Sequence, residues 1–194
     1  MPHVPPIVRL ADRVSAAVGW LAARLVVAMT VAGALGAVLR YLARPLGVAP
    51  ALNALADLQW MLFSAVFLLG AAWALATDAH VRVDVLYARL SARRRALLDL
   101  VGTLFLLLPF CALLLWATWP AVTGAVAIRE GALDPGGLAR WPVRLLVPLG
   151  IALLALQGIA EVIRAAHALR QPGTRGQAAE DERGPAADAE PDAA

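Results

Sequence analysis

Lysine is absent from the 194-residue chain; all 17 of its basic residues are arginine. One cysteine, Cys111, excludes an intrachain disulfide and every multi-cysteine metal site. The three histidines, His3, His80 and His167, fall in the N-terminal segment, a loop and the C-terminal flank, so no pair of membrane histidines exists to ligate haem. Charge is also scarce: 16% of residues, against roughly 25% in soluble domains. No nucleophile, metal cluster or carboxylate pair is gathered in one place, which argues against an enzyme or a cofactor protein. The arginines have no aromatic stacking platform or glycine-rich phosphate loop beside them, which argues against nucleic acid and leaves membrane lipids as the counter-charge.

What the chain has in abundance is apolar length. Hydrophobic residues make up 61% of it and the mean hydropathy is +0.71. A membrane span needs about 20 mostly apolar residues. Leu58 to Thr77 is uncharged, as are Leu100 to Ile128 and Leu145 to Ala160. A first run, Val18 to Leu39, contains Arg24, which lies close enough to the helix start to snorkel toward water. That run is long for a signal peptide, so a retained first span is expected. The fold class expected is therefore an all-α integral membrane protein with four transmembrane helices, at about 18–39, 58–77, 97–119 and 144–164. Residues 1–17 would form a cytoplasmic N-terminal segment and 18–165 the membrane domain.

Arginine placement orients the spans. With four of them, Arg9, Arg13, five loop arginines, Arg164, Arg170 and Arg175 share one side, ten in all, against five on the other, Arg40, Arg44, Arg129, Arg140 and Arg144. Both termini are thus expected in the cytoplasm. Tyr41, Trp60, Trp116, Trp119 and Trp141 fall at the outer ends of their spans and Trp20, Trp73 and Tyr87 near the inner ends, two belts at headgroup level. Residues 1–170 hold 15 arginines and 8 acids, +7, whereas 171–194 hold 2 and 6, −4. The tail, 166–194, rich in Pro, Gly, Ala and acids, is expected to be disordered.

Between the second and third runs lies HVRVDVLYARLSARRRALLDL, His80 to Leu100. Its alternation of Val81, Val83 and Val85 with Arg82 and Asp84 would suit a strand, but a lone strand at a membrane leaves backbone groups unpaired. The spacing of Val83, Leu86, Tyr87 and Leu90 at i, i+3, i+4 and i+7 gives one apolar helical face, with Arg82, Arg89 and Arg93 on another. An amphipathic interfacial helix over about 81–93 is expected, lying in the inner leaflet; an ordinary positive loop remains the alternative. Ser91 would cap the helix that follows.

Among single residues, Pro109 is expected to kink the third span, and Cys111 to behave as a small hydrophobe. Gln157 beside Gly158 is the most polar feature of the fourth run and is expected in a helix-packing contact. Arg95, Asp99, Glu161 and Arg164 fall near the inner ends of spans three and four, where they could form an ion pair or simply anchor at the interface. Asp134-Pro135-Gly136-Gly137 signals a turn.

Taken as a set, the charged loop, then LPFCALLLWATWP (Leu108–Pro120), DPGGLARWP (Asp134–Pro142) and PLGIALLALQGIAEVIR (Pro148–Arg164), resembles the small membrane subunit of tripartite ATP-independent periplasmic (TRAP) transporters, the DctQ type. It looks closest to the branch associated with mannitol or chloroaromatic compounds. The resemblance covers roughly residues 15 to 170. It implies a bacterial inner-membrane permease subunit of a sodium-coupled secondary transporter, working with a large DctM-type permease subunit and a periplasmic solute-binding protein. It further implies a bracing role for Arg82, Val83, Asp84, Leu86, Tyr87, Arg89 and Leu90 in the interfacial segment. An unrelated four-helix accessory or signalling membrane protein is the alternative reading.

Overall fold

A computed structural model of the chain describes residues 5–46, 49–79 and 90–170. The expected interfacial helix lies outside the described residues except for its last few positions, of which Leu90 sits in a bend, and so does the tail from residue 171. The helices are α1 (Pro6–Leu46), α2 (Ala49–Ala76), α3 (Ala92–Gly102), α4 (Leu108–Ala127) and α5 (Trp141–Arg170), with a π-helical turn, Thr103–Leu107, joining α3 to α4 in one rod. No strand occurs among the described residues. Among the described residues, four stretches are long and apolar enough to cross a membrane: Pro6–Leu42, Leu52–Ala76, Arg93–Ala127 and Trp141–Arg170.

Each helix outruns its expected span at one or both ends. The 41 residues of α1 extend about 60 Å, twice the thickness of the hydrocarbon layer. It begins at a proline, a residue preorganised for the first helical position, with the Val8 amide donating to the Pro5 carbonyl (3.1 Å). The additional turns are held by packing: Val8 and Ala11 are buried against Ala160, flanked by Leu156 and Ile163. The buried positions Val8, Ala11, Ser15, Ala22 and Ala32 repeat at the 3.5-residue spacing of a helix-packing seam. Most are small. In lipid, where association rests on close van der Waals contact, small seam residues bring backbones together.

Helix α5 is the hub. It receives α2 through Gly150, where a Cβ would lie 2.8 Å from the Leu68 carbonyl oxygen. Through Ala160 and Gln157 it receives the start of α1. Gly158 receives the rod, its missing Cβ leaving room for Leu107, Leu108 and Thr103. The rod packs chiefly on α5, whereas α1 and α2 pack on each other as well as on α5. The result is an open assembly. In α4 only Cys111, Val122 and Ala125 are buried, while Phe105, Leu106, Leu113, Trp116 and Trp119 point outward from the rod.

The expected kink at Pro109 takes the form of the π turn. Proline lacks the N–H that would bond one turn back and its ring crowds that carbonyl. Here the Leu108 amide reaches five residues back to Thr103 O, widening the turn ahead of the proline. Ser91 occupies the N-cap position of α3 in extended conformation (φ −62°, ψ 153°), but its hydroxyl makes no capping hydrogen bond. Its carbonyl accepts the Arg95 amide (3.0 Å), opening the helix without it. Within the spans the hydroxyls of Thr30, Ser64 and Thr118 donate to carbonyls four residues back, which closes these three donors on their own helix. Arg24 lays its guanidinium 3.3 Å over the Trp20 ring, one turn toward the helix start.

Candidate functional site

The polar chemistry is concentrated at the two ends of the helix assembly. At the end carrying the start of α1 and the end of α5, Gln157 is fully buried and Ser15 nearly so. The Ser15 hydroxyl donates to Gln157 Oε1 (2.8 Å), and Gln157 Nε2 donates to Asp12 Oδ1 (3.2 Å). Arg164 Nη2 donates to the same Asp12 oxygen at 2.8 Å and lies 3.4 Å from Glu161 Oε1. Helical geometry explains the convergence: Asp12 and Ser15 are three apart on α1, and Gln157, Glu161 and Arg164 are four and three apart on α5, so each set forms one stripe. If Trp141 marks the opposite membrane face, Gln157 lies about 24 Å along α5 and Arg164 about 35 Å, so the row runs from within the hydrocarbon to the headgroups.

Of the sequence-predicted ion-pair candidates, Glu161 and Arg164 are thus brought together, and Asp12 joins them from α1. Asp99, half-buried on α3, is close enough to Glu161 to act on its charge, as are Asp12 and Asp78. Arg95 turns its Nε to the carbonyl of Leu90 (2.9 Å). Arg82, Val83, Asp84, Leu86, Tyr87 and Arg89 lie outside the described residues. A first span drawn from Val18 leaves Asp12 and Ser15 outside it, which is why the sequence does not single them out. The signal that could have found them is the spacing of Val8, Ala11 and Ser15, which continues the α1 seam toward the N-terminus.

At the opposite end, the connection between α4 and α5 is clasped onto α2. Arg129 ends α4 in the left-handed region (φ 48°), with its amide on Val126 O and the Glu130 amide on Ala125 O, a Schellman closure. The Glu130 carbonyl then accepts the amides of Arg140 (2.9 Å) and Trp141 (3.3 Å), closing the loop at its base. The Glu130 carboxylate takes both Nε (3.0 Å) and Nη2 (3.1 Å) of Arg144. That hydrogen-bonded guanidinium holds the Glu130 carboxyl below the ordinary carboxylate range, with further help from the charge of Arg140.

The expected turn at Asp134–Gly137 does more than reverse the chain. Gly136 adopts φ 78°, a conformation glycine enters without cost. Asp57 of α2, 8% exposed, accepts the Leu138 amide (2.9 Å), while Asn53 Nδ2 donates to Pro135 O (3.1 Å). A Cβ at Gly137 would collide with the Asp57 carboxylate. Asp57 was readable as an acid one residue ahead of a 20-residue uncharged run, but nothing in the sequence names its partner 81 residues away.

Among the described residues no three His, Cys, Asp or Glu side chains are grouped to hold a metal ion. The joints are fastenings: one pins the start of α1 to α5, and the other pins the α4–α5 loop to α2 and to the start of α5.

Comparison with known proteins matches residues 29–168, about seven-tenths of the chain, to the tripartite ATP-independent periplasmic transporters, DctQ component. No curated protein and no solved structure matches it. Four membrane-length helices, the polar joints that bind α1 and the α4–α5 loop to their neighbours, and this match over most of the sequence lead to one assignment: the chain belongs to the DctQ family, the small component of TRAP transporters.

Proposed function

We propose that the chain is the scaffold subunit of a sodium-coupled TRAP transporter, bracing a large elevator-type DctM permease subunit that takes up an organic anion delivered by a periplasmic binding protein. The observation that carries this reading is the rod α3–α4. It packs on α5 along one stripe and offers the rest of its surface, including Phe105, Leu106, Phe110, Leu113 and Trp116, to whatever lies beside it in the bilayer. A static arm built this way adds width to a scaffold without carrying a substrate site. On the motifs of its loop and last two spans we place it in the mannitol or chloroaromatic branch, and the arginine count supports placing both termini in the cytoplasm of an inner-membrane protein. The segment 81–93 fits a helix lying along the inner leaflet as part of the brace.

Detergent extraction of the tagged chain with its neighbours in the membrane tests the reading. A large multi-span permease is expected to co-purify and uptake to cease when the chain is deleted; absence of such a partner together with intact uptake sinks it. Replacing Leu86 and Leu90 by Asp should impair assembly or uptake, and normal transport in that variant counts against the interfacial helix.

A further inference from the structure

Between α2 and α5, at the end bearing the α4–α5 loop, lies an open groove of about 350 Å³. Such a volume is at the lower end of the range of small-molecule sites. Trp60, Arg140 and Arg144 form its mouth, and Phe63, Phe67 and Val147 line it further in. From Trp60 to Phe67 the groove follows α2 for about 10 Å into the apolar layer. Phe63 and Phe67 are stacked with centroids 6.3 Å apart and both are mostly exposed, so their rings form a broad wall. Ser64, the polar residue on this wall, has already spent its hydroxyl on Trp60 O.

The mouth is chemically opposite to the interior. Arg144 is engaged by Glu130, which leaves one net positive charge among Arg140, Arg144 and Glu130. The Arg140 guanidinium stands 5.6 Å from the Trp60 ring centroid, and its Nε is buried with no hydrogen-bond partner. That nitrogen is closed off inside the fold, so what an anion at the mouth would meet is the charge of the guanidinium where Arg140 lines the groove. The nearby Asp57 carboxylate is turned to the loop, where it accepts the Leu138 amide.

A cation at headgroup depth above an apolar trough suits an amphiphile with an anionic head and an apolar chain. We propose that this groove is a site for a single anionic phospholipid, its phosphate on Arg140 at the mouth and one acyl chain laid along Phe63, Phe67 and Val147. The bound lipid would fill the gap between α2 and α5 below the clasp, stiffening the junction of loop and helices. The site is independent of what the transporter carries.

The test uses the full chain in detergent, with lipid binding followed by native mass spectrometry. Phosphatidylglycerol is expected to bind about fivefold more tightly than phosphatidylcholine, the worth of one interfacial charge. Arg140→Gln should abolish that preference and Arg140→Lys should keep most of it. Val147→Trp, which fills the trough and leaves both arginines in place, should weaken both lipids. Equal binding of the two lipids by the unmodified chain overturns the proposal. So does unchanged phosphatidylglycerol binding in Val147→Trp, which would mean adhesion by charge alone. Displacement of the lipid by millimolar inorganic phosphate would reveal a free-anion site and also overturn it. A Phe67→Cys variant that crosslinks to the permease subunit in the assembled transporter, with no lipid retained, would show that a protein helix fills the groove instead.

Discussion

The Ser15–Gln157 contact makes a sharp claim about what fastens α1 to α5. Gln157 is wholly buried and Ser15 is 3% exposed, and their hydrogen bond measures 2.8 Å across a sequence separation of 142 residues. Hydrogen bonds between membrane helices average about 0.6 kcal/mol and reach about 1.7 kcal/mol. This one belongs in the upper half, because no water competes at a buried site; about 1 kcal/mol is a reasonable value. The second bond, from Gln157 to Asp12, is longer at 3.2 Å, and Asp12 keeps Arg164 when it is lost, so about 0.5 kcal/mol suffices for it. Gln157→Leu, which nearly preserves volume, should therefore cost about 1.5 kcal/mol in all. Ser15→Ala should cost about 1 kcal/mol in the native background and close to nothing in the Gln157→Leu background, since the hydroxyl then has no glutamine to lose. The assay is a double-mutant cycle on unfolding in mixed micelles, followed by helical circular dichroism. Equal cost of Ser15→Ala in both backgrounds refutes the reasoning and would mean that the hydroxyl already prefers its own helix's carbonyl.

Three further outcomes are expected. Gly150→Ala should push α2 from α5, because the new Cβ would meet the Leu68 backbone oxygen at 2.8 Å, and should lower unfolding stability by about 1 to 3 kcal/mol; an unchanged melting temperature would deny the close approach. Asp57→Ala should free the Leu138 amide and raise hydrogen exchange or proteolysis within residues 131–139, while helix content stays the same. Glu130 has a folded-state pKa below its unfolded value, so the clasp's contribution is complete above the ordinary carboxyl pKa of about 4.3 and disappears as pH falls through the lowered folded value. Glu130→Gln should remove this acid-side dependence from the melting temperature, and a pH profile identical to the unmodified chain would contradict it.

How much of this was legible beforehand depends on the range of the interaction. Uncharged runs of 16 to 29 residues announced three of the spans, and an apolar run broken by Arg24 the first, because a lipid-exposed backbone must close its hydrogen bonds locally and a helix is the local solution. Pro109 announced a distortion, and the missing amide does explain the π turn, although its accommodation against Gly158 depends on α5. Gln157 could be singled out as polar in a greasy setting. Its partner could not, since Ser15 and Asp12 are ordinary residues of a helix start until α5 is laid beside them. The same holds for Asp57, whose acceptor role exists only once the α4–α5 loop folds back over α2.

By itself, then, the sequence determined the apolar spans, the distortion at Pro109 and the kinship carried by its motifs, all of which follow from local composition and order along the chain. Only the tertiary structure decided that α5 is the hub, that the rod stands open to its surroundings, and that Asp12, Ser15, Gln157, Glu161 and Arg164 form one joint. Those outcomes depend on helix packing between residues as many as 152 positions apart, where the absence of a single Cβ at Gly150 or Gly158 sets which faces meet. No local pattern encodes that choice.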